Sequence, residues 1–155
     1  MSIPREIGLA LVATVFLNLQ AVTQEKKIRR SDLPPAVEKT VAVQTQGATV
    51  RGFSEEKENG HTFYEAELMV NGHSKDVLMD ANGAIVEVEE QVEIDLLPAA
   101  VRGGLQAKAG KGQLAKVESI TKQGKLVAYE AKTVVEGKKS EMQVGPDGKP
   151  LGHKE

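Results

Sequence analysis

Cysteine and tryptophan are absent from this chain of 155 residues, and aromatic residues make up only 3% of it. Without cysteine there is no disulfide, no thiolate zinc site and no cysteine nucleophile. Two tyrosines and three phenylalanines, one of them Phe16 near the start, are too few for a base-stacking platform. An excess of one charge is missing too. The 20 basic and 22 acidic residues leave a formal net charge of −2, which argues against the basic stripe of a nucleic-acid binder. The apolar run Ile7–Leu17 falls short of the ~20 residues that a membrane-spanning helix needs. There is no Gly-x-Ser-x-Gly elbow. No histidine pair has the i, i+4 spacing of a zinc site, and Gly103-Gly104 is not followed by the Gly-Lys-Ser/Thr of a phosphate loop. The sequence therefore assigns no catalytic, cofactor-binding or metal residues, and predicts that the protein is not an enzyme.

What is present begins with an address. Arg5 precedes the apolar run Ile7–Leu17, Gln20 to Thr23 follow it with Ala21 among them, and Glu25–Arg30 turns sharply polar. Positive start, apolar stretch and small-residue exit, in that order, are the layout of a secretory signal peptide. The expectation is a signal peptide over 1–23, a linker over 24–30, and a periplasmic or secreted protein. Membrane contact is expected only through the leader, if it is not cleaved.

The remainder says one thing twice. Tyr64-Glu65-Ala66 returns as Tyr129-Glu130-Ala131, Gly72 as Gly137 and Gly83 as Gly148, all at a shift of 65. Pro34, Ala36 and Val37 return as Pro98, Ala100 and Val101 at a shift of 64. Such a period is a statement about architecture. In the first copy Ser31 or Asp32 can cap a helix, Pro34 and Pro35 suit its first turn, and Val37 and Val41 share a face. In the second, Val101 and Leu105 take those places and Ala109-Gly110 ends the helix. Gly103-Gly104 reads as a weak point, costing ~1 kcal/mol per glycine. Alternating strands follow. Tyr64, Ala66, Leu68 and Val70 share one face, and Phe63, Glu65, Glu67 and Met69 the other. Asn59-Gly60, Asn71-Gly72, Gln123-Gly124 and Asp80–Gly83 read as turns. The predicted fold class is α+β: two tandem modules, 31–91 and 92–155, each one helix packed on a three- to four-stranded antiparallel sheet.

Leu33-Pro34-Pro35-Ala36-Val37 and Leu97-Pro98-Ala99-Ala100-Val101, with Tyr64 and Tyr129, carry a family resemblance across most of 31–152. The chain resembles, in two tandem copies, the PepSY-like or β-lactamase-inhibitor-like group of small exported bacterial domains. That group has no established catalytic residues to carry over. Related modules in the propeptides of thermolysin-like metalloproteases imply a role in binding or restraining a peptidase. β-Lactamase inhibitor proteins pair two helix-plus-sheet units and bind through the open sheet face, which in them is rich in aromatics.

The remaining candidates have plain readings. His61 and His73 fall in turns and His153 in the tail. Asp76, Asp80 and Asn82 lack the further oxygen ligands of a calcium loop. Glu65 and Glu67 read as a wet sheet face, with no sign of a raised pKa or a cleft. The sequence thus predicts an exported, non-enzymatic binding module that takes no cofactor. Its protein-binding face would carry Phe63, Glu65, Glu67, Met69, Asp76, Glu130 and Lys132. Its partner would be a protein or peptide of the cell envelope, a peptidase among them. The alternative is an envelope structural or sensing protein that binds cations or cell-wall material through its acidic strands.

Overall fold

The computed structural model describes residues 24–135 and 137–155. The leader expected over 1–23 lies outside the described residues. Among the described residues eight strands form one sheet: β1 (Gln24–Ile28), β2 (Thr49–Glu58), β3 (His61–Val70), β4 (His73–Asp80), β5 (Ile85–Val92), β6 (Gln113–Lys122), β7 (Lys125–Val135) and β8 (Lys138–Val144). They lie side by side in chain order, and each pairs antiparallel with the next. Helix α1 (Pro35–Gln44) joins β1 to β2, and α2 (Ala99–Ala109) joins β5 to β6.

The expectation of two tandem modules, each with its own small sheet, is corrected by the pairing of β5 with β6. The ladder runs from Glu87↔Lys122 to Val92↔Val117, so the sheet is continuous. Two separate sheets would present four edges of unpaired N–H and C=O groups, and joining them removes two. The segment expected as a linker over 24–30 contributes β1, which pairs with β2 from Gln24↔Lys57 to Ile28↔Phe53.

Local chemistry explains the elements. Asn59-Gly60, Asn71-Gly72 and Gln123-Gly124 all have positive φ at both positions, as type I′ hairpin turns require. Pro35 opens α1, where its missing N–H costs nothing. The expected caps do not form: neither Ser31 nor Asp32 caps α1. Asp32 lies in a 3₁₀ turn, where its carboxylate accepts the Arg29 backbone N–H at 3.1 Å and its guanidinium at 3.0 and 3.1 Å.

Both helices cover the same face of the sheet, because that face carries the apolar half of each strand. Leu33, Val37 and Val41 pack on Phe53, Ala66, Leu68, Val77 and Met79. Leu97, Val101 and Leu105 pack on Val117, Ala131 and Val144. The turns after β4 and β8 lean on the helices. Thr40 Oγ1 donates to the Gly83 carbonyl at 2.6 Å. At the matching place in α2 stands Gly104, where a Cβ would lie 1.9 Å from the Gly148 carbonyl oxygen. Gly104 is thus no weak point. Its bare Cα lets the turn approach.

Candidate functional site: the open face of the sheet

Residues 63, 65, 67 and 69 of β3 point away from the helices, since Ala66 and Leu68 between them are buried beneath α1. The ladders carry that parity across the sheet. Glu67 faces Asp76, Asp76 faces Glu89, and Glu65 faces Leu78, which faces Glu87. Further on, Gln91 faces Glu118, Glu118 faces Glu130, Lys116 faces Lys132, and Glu130 faces Gln143. Phe63, Glu65, Glu67, Met69, Asp76, Glu130 and Lys132 thus lie on one face, spread over β3, β4 and β7 rather than gathered at one point.

The half of this face over β2–β5 is acidic. A cleft of about 160 Å³ is lined by Glu56, Glu65, Asp76, Leu78, Glu87 and Glu89. Beside it Phe63, Leu78 and Val86 line a shallower, more apolar hollow. Burial, reinforced by Asp76, Glu56 and Glu67, pushes the Glu65 carboxyl up to about 7, against the opposing hydrogen bond that Ser54 Oγ donates at 2.8 Å. Burial and the charges of Glu118, Glu87, Glu130 and Asp76 push Glu89 up to about 7 as well. Asp76 and Glu56 are raised, first by burial and then by neighbouring carboxylates. The expectation of an ordinary wet carboxylate at position 65 is therefore corrected.

Over β6–β8 the same face is neutralised and partly covered. Glu118 is only 1% exposed. Burial works to raise its carboxyl, but Lys116 at 2.5 Å and Lys132 at 3.3 Å outweigh it and hold it below the usual range. Ser74 Oγ donates to it at 3.2 Å. Glu130 and Gln143 are 6% and 5% exposed, and Gln143 Nε2 donates to Glu130 Oε2 at 2.9 Å. After β8 the chain makes one bridge, Val144↔Pro150, and residues 153–155 then lie against this face. Glu118, Glu89, Leu78 and Gln143 were not singled out from sequence. The alternation in β5 was visible, but which neighbour it would face was not.

The histidines stand apart. His73 Nε2 lies 2.9 Å from Glu93, His153 Nε2 lies 3.1 Å from Glu155, and His61 packs against the Phe63 ring. The Asp80 carboxylate is consumed by its own turn, accepting the Asn82 and Ala84 N–H groups at 2.9 Å each. Two carboxylate trios could offer oxygen ligands to a cation: Glu25, Glu65 and Glu67, and Asp76, Glu89 and Glu118, with ligand atoms within 4.8 Å of one another. Lysine already sits in both. Lys27 bonds Glu67 and lies 3.0 Å from Glu25, and Lys116 and Lys132 hold Glu118.

Among the described residues the architecture defines a class: an antiparallel sheet with two α-helices on one face and none on the other. No family model matches the chain, and no curated protein sequence matches it. Solved structures share its fold. A DUF2874-family protein from Bacteroides ovatus is 21% identical, with a TM-score of 0.60 over 77% of this chain and 86% of that one. A protein from Bacteroides eggerthii, provisionally described as periplasmic, is 18% identical, with a TM-score of 0.62 over 77% and 86%. A BLIP-like protein from Bacteroides fragilis is 22% identical, with a TM-score of 0.56 over 79% and 86%. At these identities the likeness is one of fold.

Proposed function

We propose that this chain is a non-enzymatic binding module of the bacterial periplasm. It engages an envelope protein or peptide, a peptidase among them, through the helix-free face of its sheet. One observation carries the reading. The face over β2–β5 sets the apolar side chains Phe63, Leu78 and Val86 beside a cleft lined by five carboxylates, Glu56, Glu65, Asp76, Glu87 and Glu89. A face serving only to meet water would not keep Glu65 and Glu89 partly desolvated, because that costs free energy unless a partner returns it. The shared fold with a BLIP-like protein and with a protein described as periplasmic supports both parts, as does the layout of 1–23. The test is capture of partners from periplasmic extract by the chain and by its Glu65→Lys/Glu67→Lys variant. The variant is expected to lose the captured protein, and unchanged capture would refute this face. Mass spectrometry of the mature protein's first residue tests export.

A second reading is a structural or sensing protein that takes up a divalent cation. It is favoured by the carboxylate trio Asp76, Glu89 and Glu118. It predicts a rise in melting temperature at sub-millimolar calcium.

A further inference from the structure

Residues 153–155 do not trail away from the fold. The Glu155 backbone N–H donates to Gln143 Oε1 at 2.8 Å, and Gln143 Nε2 donates to the main-chain oxygen of Glu155 at 3.4 Å. One side-chain amide thus pairs with both main-chain groups of one residue, as a neighbouring strand would. That pairing reads main-chain groups and is indifferent to the side chain that follows them. The Gln143 amide is held for it. Its other N–H goes to Glu130 Oε2 at 2.9 Å. A carboxylate can only accept there, so the NH₂ group is turned toward Glu130 and the oxygen toward the incoming N–H. Both residues are more than nine-tenths buried.

The flanking charges add a preference. Lys154 Nζ lies 3.3 Å from Glu130 Oε2 and 3.3 Å from Glu141 Oε2. The Glu155 carboxylate lies 3.4 Å from Lys122 Nζ on β6. The open face over β6–β8 therefore carries, in order, a clamp for an ammonium, a receptor for a peptide backbone and a clamp for a carboxylate.

We propose that this strip is a receptor for an extended peptide carrying lysine followed by an acidic residue, and that residues 153–155 occupy it in cis. The proposal deepens the reading of the helix-free face as the binding face, and rests on it. It adds that half of that face is closed by the chain's own segment, which a partner must displace. An intramolecular occupant competes at an effective concentration on the order of millimolar. A short peptide in trans is therefore excluded from the intact chain and admitted once the segment is gone.

The probe is the synthetic peptide Leu-Gly-His-Lys-Glu, added to ¹⁵N-labelled protein. Its binding is read on the Gln143 side-chain amide and on the backbone amides of β7 and β8. The chain lacking residues 152–155 is expected to show saturable shifts with a dissociation constant of about 0.1 mM, roughly tenfold below the effective concentration of the segment. At peptide concentrations well below that constant, the intact chain is expected to show about a tenth of the response. A peptide with glutamate in place of the lysine is expected to bind at least about tenfold more weakly. Should the shortened chain fail to fold, the full-length Lys154→Glu/Glu155→Lys variant lifts the segment by like-charge repulsion at both clamps. It is expected to move the Gln143 side-chain resonances and to admit the peptide. Two results would overturn the proposal: no shift in either folded variant, or equal shifts in the intact chain. Neither bears on partner capture through Glu65 and Glu67, so a failure here is separable from a failure of the function proposed above.

Discussion

The two halves of the sheet agree on their covered face and disagree on their open one. Beneath the helices, Val37 and Val41 of α1 match Val101 and Leu105 of α2, all fully buried. On the other face, β2–β5 concentrates carboxylates whose burial raises their pKa values, whereas β6–β8 seats Glu118 between two lysines and lowers its pKa. One half has its charges compensated and its surface occupied by residues 153–155. In the other, Lys27 pairs with Glu67 and Lys122 lies 3.5 Å from Glu87, while among the described residues Glu65 and Glu89 form no ion pair. The covered face answers to folding, since every apolar side chain there must be removed from water. The open face buries Ile120 and Ala128, which face each other on β6 and β7, but is otherwise largely polar, and its differences are where a binding role is to be sought.

The largest effect expected from exchanging features between the halves is at the helix–turn contacts. Gly104→Thr places a side chain where even a Cβ would lie 1.9 Å from the Gly148 carbonyl oxygen. It is expected to destabilise by about 4 kcal/mol in urea unfolding. A cost below about 1 kcal/mol would mean that the α2 contact is as loose as that of α1.

Next comes the compensated carboxylate. Lys116→Met/Lys132→Met leaves Glu118 buried without a cation, and is expected to cost about 3 kcal/mol. Adding Glu118→Gln to that background should recover most of the loss. If it does not, the lysines stabilise by packing and not by charge.

The uncompensated carboxylates predict a pH dependence of opposite sign. Glu65 and Glu89 titrate near 7 in the fold and near the ordinary glutamate value of 4.5 when unfolded. The folded state therefore binds their protons more tightly. The stability so gained is complete below about 4.5 and is lost as pH rises through about 7. Both groups are only partly buried, so solvent screening reduces the gain to about 2 kcal/mol in total. The melting temperature is expected to be about 4–8 °C higher at pH 5 than at pH 8. Glu65→Gln/Glu89→Gln should flatten that profile. A profile unchanged by the double substitution would place the titration elsewhere.

The smallest effect is at Thr40. Thr40→Gly removes the 2.6 Å hydrogen bond to Gly83 and adds a helical glycine, and is expected to cost about 1–2 kcal/mol. The turn does not close up to compensate, because Gly83 already lies close to the Ala36 carbonyl.

Much of the fold was legible because it is written in short-range chemistry. The I′ turns, the strand alternation, the Pro35 start of α1 and the Gly110 end of α2 all follow from residues within a few positions of one another. The pairing of β5 with β6 was not legible. Nothing local distinguishes a strand that ends a sheet from one that continues it. β1 was hidden for a related reason: Gln24–Ile28 is charged and has no alternation of its own, and it is a strand only because β2 offers it a partner. The role of Gly104 was invisible because it belongs to a carbonyl over forty positions away in sequence.

The order of residues alone determined which side chains are apolar and at what spacing, and so determined the covered face, the turns and the helix positions. Those depend on neighbours along the chain. Only the tertiary structure decided that there is one sheet, that Glu65 and Glu89 share a cleft while Glu118 is seated between lysines, and that residues 153–155 return to Gln143. The physical reason is that desolvation and charge pairing act through space. A carboxylate's environment is set by strand register and by whatever folds back across it, neither of which any local stretch of sequence contains.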